Sequence, residues 1–199
     1  MERFMPRPMA ALAELLLIGV LALALAEGVQ AAAVKPFKIP SGSMEPTLTV
    51  GQRVLVNRVV FRLHAPRRGD IIVFHPPTSL QCAAAISPGE PCPKGNGKES
   101  ATYFIKRVVA VAGQSFSVRN GHPVVDGHEL TDEPYILPCQ GEQGCTLPQS
   151  IVIPRGDVYV MGDNRGDSDD SRFWGPVPDS WVVGEAFFSY WPPDRVGFP

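Results

Sequence analysis

The sequence has no excess of charge of either sign. Its 199 residues include 18 Lys and Arg against 20 Asp and Glu, a formal net charge of −2 at pH 7. Nucleic-acid-binding domains usually present a strongly basic surface, and chains that stay disordered usually carry a high net charge. The balance therefore predicts a folded domain that does not bind nucleic acid.

Metal-binding patterns are also missing. The four cysteines form two close pairs, Cys82 with Cys92 and Cys139 with Cys145, without the CxxC spacing and nearby histidines of a zinc site. An acidic stretch at 162–175 lacks the residue order of an EF-hand loop. We expect neither a metal nor a cofactor. Outside the cytoplasm, two local disulfides are the simplest pairing; free thiols are the alternative.

Long helical patterns and internal repeats are absent beyond residue 33. The chain there has short runs of Val, Ile and Phe between turns rich in Gly and Pro, of which the whole sequence has 19 and 21. Such runs are typical of β-strands, and the turn Asn120-Gly121 predicts a β-hairpin. The predicted fold is mostly β: one antiparallel β-rich domain over residues 34–199. Loop insertions are expected around 78–100 and 113–156.

One long apolar run precedes this domain. Residues 10–33 are almost wholly Ala, Leu, Val, Ile and Gly, interrupted by Glu14, Glu27 and Gln30. A helix over this run would reach the roughly 30 Å of a bilayer core. A buried soluble helix and a cleaved signal peptide are alternatives, since the small residues at 29–33 are similar to a cleavage site. We favour an uncleaved membrane anchor over residues 9–33, after a short cytoplasmic tail of residues 1–8.

A proline-bounded loop carries two serines. In the stretch 39–48, IPSGSMEPTL, Pro40 and Pro46 flank Ser41 and Ser43. Prolines restrict the backbone, so such a loop can present a hydroxyl rigidly as a nucleophile. The same composition also occurs in ordinary turns.

Lys106 is the unusual residue of the apolar run 103–112. It could simply point outward from a strand, because lysine is seldom fully buried. If it is buried, desolvation lowers its pKa, and the neutral amine can deprotonate a serine. A Ser-His-Asp arrangement is the alternative, although His64, His75, His122 and His128 all sit beside Pro or Gly or in polar loops.

The acidic stretch 162–175 mixes carboxylates with arginines. Asp163, Arg165, Asp170 and Arg172 could form an internal network that braces an adjacent site, since buried charges persist only when they are paired. The alternative is a solvated turn.

Taken together, the sequence resembles the bacterial type I signal peptidases, membrane-bound endopeptidases that use serine and lysine to cut signal peptides from exported proteins. The resemblance lies in an apolar N-terminal segment followed in order by IPSGSMEPTL (39–48), RRGDIIVFHPP (67–77), FIKRVVAVAGQ (104–114) and GDNRGDSDDSRFWGPVP (162–178). It implies a signal-peptidase-like β domain on the outer face of the inner or plasma membrane. The single anchor would leave the N-terminus in the cytoplasm, and the partners would be precursor proteins and the lipid bilayer.

The resemblance also implies roles for single residues. Ser43 matches the nucleophile and Lys106 the general base. Ser41 matches a serine that stabilises the oxyanion together with the backbone N–H of Ser43, and Ser168 a serine that hydrogen-bonds the lysine. The remaining matches are residues that support this region, Asp170, Arg172 and Arg107, and the expected lining of shallow substrate pockets, Phe37, Ile39, Pro40, Met44, Phe104 and Ile105.

Three other interpretations are open at this point. The chain could be a specialised maturation protease for one conjugation or secretion substrate, or a catalytically inactive, membrane-anchored binding domain. A cytoplasmic self-cleaving repressor-type Ser/Lys protein is the third, but the apolar N-terminus stands where that class has a DNA-binding domain.

Overall fold

The computed structural model describes residues 12, 14–23, 33–83 and 87–199. Residues 14–23 are helical, and their side chains are exposed. Among the described residues, no helix is both long enough and apolar enough to cross a membrane. Most of the predicted anchor over 9–33, and the whole of the predicted tail over 1–8, lie outside the described residues.

The main structural element is a seven-stranded sheet in which every pair of neighbouring strands is antiparallel. Its strands, in the order in which they lie side by side, are β1 (Val34–Lys38), β2 (Arg53–Asn57), β13 (Val182–Trp191), β3 (Ile71–Phe74), β6 (Phe104–Val111), β11 (Asp157–Met161) and β12 (Val177–Pro178). The expectation of a mostly β, antiparallel fold is confirmed.

Part of the predicted loop insertion at 113–156 is itself a sheet. It contains β10 (Leu147–Val152), β7 (Ser115–Arg119), β8 (His122–Val125) and β9 (His128–Glu129), side by side in that order. The hairpin between β7 and β8 turns at Asn120 and Gly121, whose φ angles of 49° and 82° are those of a primed two-residue turn. The first insertion likewise contains a short ribbon of β4 (Pro77–Ser79) and β5 (Asn96–Glu99).

Both insertions are closed by disulfides. Cys82 is bonded to Cys92 and Cys139 to Cys145, which are the two local pairings that the cysteine spacing favours. The second closed segment lies beside the acidic stretch 162–175. The carbonyl oxygen of Gly144, within the second closed segment, accepts a hydrogen bond from Arg172.

The sequence pattern did not reveal β1. Its five residues, VKPFK, contain a proline and two lysines, so they show neither alternation nor a β-branched run. Proline is tolerated here because β1 lies at the edge of the sheet and pairs only with β2. The position of β1 is important because it leads directly into the serine loop at 39–48.

Candidate active site

The serine loop is held by apolar side chains that enter the core. Ile39, Met44 and Leu48 are 2%, 0% and 0% exposed, and they belong to one hydrophobic cluster with strands β2 and β3. Between them, Gly42–Met44 form a single 3₁₀ turn. Met44 packs into this cluster and is not among the residues that line the groove described below, in contrast to the expectation that it lines a substrate pocket.

Lys106 lies in β6 opposite Ile72 of β3, in the middle of the main sheet. It is only 4% exposed, and its Nζ donates a hydrogen bond of 2.6 Å to Ser43 Oγ. Burial lowers the pKa of Lys106 to about 8, against the opposing attraction of Asp170 and Asp169. At this pKa, a substantial fraction of the amine is neutral near physiological pH. The outward-facing alternative for Lys106 is therefore excluded.

A second hydroxyl lies beside the first. Ser41 Oγ is 3.4 Å from Ser43 Oγ, and Ser41 is exposed whereas Ser43 is buried. The site thus presents a buried hydroxyl that contacts an amine and an exposed hydroxyl that is accessible from solvent.

The loop at 162–170 holds the serine loop from the other side. The backbone N–H of Asn164 donates to the Ser43 carbonyl at 3.1 Å, and the Asn164 side-chain amide donates to the Gly42 carbonyl at 3.3 Å. Gly162 lies so close to the Ser43 carbonyl and to Ser168 Oγ that a Cβ at this position would collide with both. Only glycine fits at position 162, because any side chain there would overlap Ser43 and Ser168.

Ser168 does not make the hydrogen bond to Lys106 that the resemblance implied. Its buried Oγ makes no close hydrogen bond among the described residues, although it lies near enough to the Asp170 carboxylate to help lower the pKa of Asp170. The hydroxyl instead lies against Gly162, on the same side of this glycine as the Ser43 carbonyl. Among the described residues, the Lys106 amine donates its side-chain hydrogen bond to Ser43 Oγ instead.

Asp170 and Arg172 form a buried bidentate pair. Arg172 Nε and one terminal nitrogen each donate to the Asp170 carboxylate at 2.8 Å, and both side chains are fully buried. Burial alone would raise the pKa of Asp170, but the charge and hydrogen bonds of Arg172 outweigh it, so the pKa lies below its usual value. The carboxylate also accepts the N–H of Gly162 at 3.0 Å, which fixes the start of the loop.

Arg107, next to the lysine in sequence, pairs with Asp163 rather than touching Lys106. The two bonds are 2.9 and 2.7 Å, and Thr47 Oγ1 donates to the same carboxylate at 2.6 Å. Through Thr47 this pair also holds the C-terminal part of the serine loop.

The third arginine finds a partner that the sequence pattern did not suggest. Arg165 donates two hydrogen bonds of 3.0 and 2.6 Å to Glu133, and both side chains are buried. His122 Nδ1 lies 2.9 Å from the same carboxylate. The sequence pattern gave little indication of this ion pair, because Glu133 lies in the polar segment 131–134 within a predicted loop, where an acidic residue is usually exposed.

An apolar groove of about 720 Å³ has Ser43 and Lys106 in its lining. One wall comes from the end of β1 and the serine loop and the other from the start of β6. Of the predicted pocket residues, five line it: Phe37, Ile39, Pro40, Phe104 and Ile105. The lining also includes two carboxylates, Asp167 and Asp169, which no sequence pattern places in a groove.

The four histidines hydrogen-bond elsewhere. His64, His75, His122 and His128 each contact a backbone carbonyl away from the serine loop, and none of them contacts Ser43 in the part of the chain that the structure describes. The arrangement around Ser43 therefore defines a class of hydrolase in which a desolvated lysine stands where many serine enzymes have histidine.

Comparison with known proteins identifies the family. The family model described as "Signal peptidase, peptidase S26" matches residues 12–191. A probable signal peptidase I-1 from a Synechocystis strain is 41% identical over 82% of this chain and 74% of its own length. Signal peptidase I of Leptolyngbya laminosa is 34% identical over 89% and 78%, and that of Mycobacterium tuberculosis is 31% identical over 96% and 77%. The chain belongs to the signal peptidase family S26, and it is a serine endopeptidase that cleaves signal peptides.

Proposed function

We propose that Ser43 is the nucleophile and Lys106 the general base of this endopeptidase. The observation that carries the proposal is the 2.6 Å hydrogen bond between a buried amine and a buried hydroxyl in the lining of an apolar groove. Because the amine is desolvated, it can accept the serine proton near neutral pH without a histidine.

The reaction is acyl transfer in two halves. Neutral Lys106 takes the Ser43 proton as Oγ attacks the carbonyl of the last signal-peptide residue, and the lysinium then protonates the leaving amine of the mature protein. The signal peptide remains on Ser43 as an ester. A water molecule then gives one proton to Lys106 and its hydroxide to the ester carbonyl, and Ser43 leaves with the proton from the lysine.

Ser41 is proposed to stabilise the oxyanion together with the backbone N–H of Ser43. Its hydroxyl lies 3.4 Å from the attacking oxygen and is exposed on the groove side, where a substrate carbonyl would arrive. Fixed donors at this point stabilise charge that develops only in the transition state, and losing one typically costs about 3 kcal/mol of activation free energy.

The groove suits a substrate that binds as an additional strand. β1 pairs on one side only, with β2, and residues 104–106 of β6 pair with β3 but lie before the point where β11 joins at Arg107. Both walls therefore offer unpaired backbone groups to an extended peptide. Ile39 and Ile105 line this groove, and small substrate residues next to the cut are expected from the resemblance to type I signal peptidases.

Ser168, Asp170, Arg172 and Arg107 are proposed to support this site rather than to react. The paired arginines hold the loop at 162–170 and the serine loop in register, and the buried Asp170 carboxylate stabilises the lysinium electrostatically during turnover. Ser168, whose Oγ is buried near the Asp170 carboxylate, would hydrogen-bond the lysine once Ser43 has become an ester.

Residues 9–33 are proposed to anchor the chain in the inner or plasma membrane, with the N-terminus in the cytoplasm and the catalytic domain on the outer face. The support is the apolar composition of the segment. A signal peptide lies in the same bilayer, so an anchor would hold the groove close to the cleavage site of each precursor protein and raise its effective concentration.

Incubation of the detergent-purified chain with several unrelated precursors tests this function. Each precursor should lose its signal peptide after an Ala-x-Ala sequence, with the new N-terminus read by mass spectrometry. Cleavage of one precursor alone would favour the specialised maturation protease, and binding without cleavage would favour the inactive binding domain.

A further inference from the structure

An arginine-rich turn connects β2 to β3. This arginine turn, residues 58–68, has the sequence RVVFRLHAPRR and no acidic residue. Arg58, Arg62, Arg67 and Arg68 are all exposed, and within the described part of the chain none of them takes part in an ion pair. A chain with a formal net charge of −2 thus concentrates four arginines without a side-chain ion pair in eleven residues, and the nearby Asp70 carboxylate accepts only the backbone N–H of Arg67, at 2.8 Å.

The arginine turn begins where the N-terminal segment enters the domain. Val34 of β1 pairs with Asn57 of β2, and the Arg58 N–H donates to the Ala33 carbonyl at 2.8 Å. Ala33 is the last residue of the proposed anchor. Arg58 therefore lies one hydrogen bond from the outer end of that anchor, and the turn lies within a few residues of it.

The arginine turn also exposes an apolar side chain. Leu63 is 82% exposed, directly after the 3₁₀ turn Val60–Arg62. Phe61 is partly buried against the core beside β3 and β13, so the turn is fixed to the sheet and keeps Leu63 outward. A single exposed leucine is ordinary, but a leucine among cations is the composition of segments that lie at a membrane interface.

We propose that the arginine turn docks on anionic phospholipid head groups and so sets the orientation of the catalytic groove above the bilayer. The proposal rests on the anchor of the proposed function. An anionic membrane surface attracts each nearby arginine by about 1 kcal/mol, roughly a fivefold gain in binding. This attraction falls off within a Debye length of about 8 Å, so the short link from Ala33 to Arg58 is what makes it effective.

Lipid quenching of a tryptophan probe tests the proposal. The full chain with Ser43→Ala is placed in nanodiscs of brominated phosphatidylcholine, with or without phosphatidylglycerol, and carries Leu63→Trp. Val152→Trp is the matched control, since Val152 is also an exposed aliphatic residue, 66% exposed, on β10 of the second sheet. The Ser43→Ala chain without a probe is measured alongside, and the signal of its three native tryptophans is subtracted. We then expect the Leu63→Trp emission to be quenched at least about twofold more with phosphatidylglycerol, and Val152→Trp to be unaffected.

Charge variants show whether the additional quenching depends on the arginine turn or only on the total positive charge of the protein. Arg62→Gln, Arg67→Gln and Arg68→Gln together should abolish the additional quenching. Lys94→Gln, Lys98→Gln and Arg155→Gln together remove the same charge from exposed sites elsewhere and should leave it intact. NaCl at about 1 M, where the Debye length is about 3 Å, should also abolish it.

Three outcomes would overturn the docking surface: equal quenching with and without phosphatidylglycerol, equal quenching of both probes, or equal loss in both triple variants. Failure of the anchor is distinguishable, because the chain would then not remain in the discs. Failure of the catalytic proposal is separate again, since the probe is read in the Ser43→Ala background and peptide cleavage is measured on the parent.

Discussion

Lys106 Nζ and Ser43 Oγ are joined by a 2.6 Å hydrogen bond between residues 63 positions apart. The serine arrives on a loop pinned by Met44 and Leu48, and the lysine arrives in the middle of a strand. Because both groups are set by core packing, the reacting atoms are already aligned before a substrate binds.

Removal of either group should nearly abolish cleavage. Ser43→Ala and Lys106→Ala are each expected to lower kcat/KM by roughly 10⁴-fold or more. The reason is that removing one member of a catalytic unit costs nearly as much activity as removing the whole unit. Ser180→Ala and Lys98→Ala, at exposed sites, are the controls and should retain full activity. A Lys106→Ala enzyme with more than about a tenth of parental activity would exclude lysine as the base.

Activity should rise with pH as Lys106 loses its proton. Desolvation lowers the pKa of Lys106 to about 8, and only the neutral amine can act as the base. The neutral fraction grows roughly tenfold between about pH 7 and about pH 9, so kcat/KM should grow by the same factor. Initial rates on a peptide substrate across this range provide the measurement, and a flat profile would contradict the assignment.

The buried lysine should also cost stability. Its pKa is lowered from 10.5 to about 8, a burial cost on the order of 3 kcal/mol that is fully present below pH 8, where both folded and unfolded chains hold the proton. Between these two pKa values only the unfolded chain holds the proton, so the parent becomes more stable as pH rises.

Lys106→Met should therefore stabilise the fold by about 1–3 kcal/mol near pH 7, with the gain shrinking as pH approaches 10. Urea denaturation of both proteins at several pH values measures the difference. Lys98→Met, at an exposed site, should show no such pH-dependent gain. A Lys106→Met protein less stable than the parent at pH 7 would show that the ammonium is well compensated in the fold.

The sequence was informative where local chemistry is strong. The Asn120-Gly121 turn predicted its hairpin, and the serine loop with Lys106 indicated the two groups that the fold brings together. It was uninformative about β1, whose strand conformation comes from pairing with β2. Partners across long sequence separations, such as Glu133 for Arg165, are fixed only by tertiary packing, and so is the inward direction of Met44.

Glu133 provides the sharpest test of the buried network. Glu133→Gln leaves the Arg165 guanidinium buried without its countercharge, and breaking a buried pair in this way typically costs about 3–5 kcal/mol. Glu129→Gln is the matched control: its pair with Arg119 is largely exposed, and such pairs contribute about 0–1 kcal/mol. Chemical denaturation of both variants should reproduce this difference.

The same comparison separates stability from catalysis. Because Arg165 also donates to the Gly162 carbonyl at 3.1 Å, loss of its countercharge should loosen the loop that holds Ser43 and lower kcat while the apparent pKa near 8 persists. Glu129→Gln should leave kcat unchanged. If Glu133→Gln is as stable as Glu129→Gln, then Arg165 is satisfied by backbone carbonyls alone and the pair is not what holds the loop.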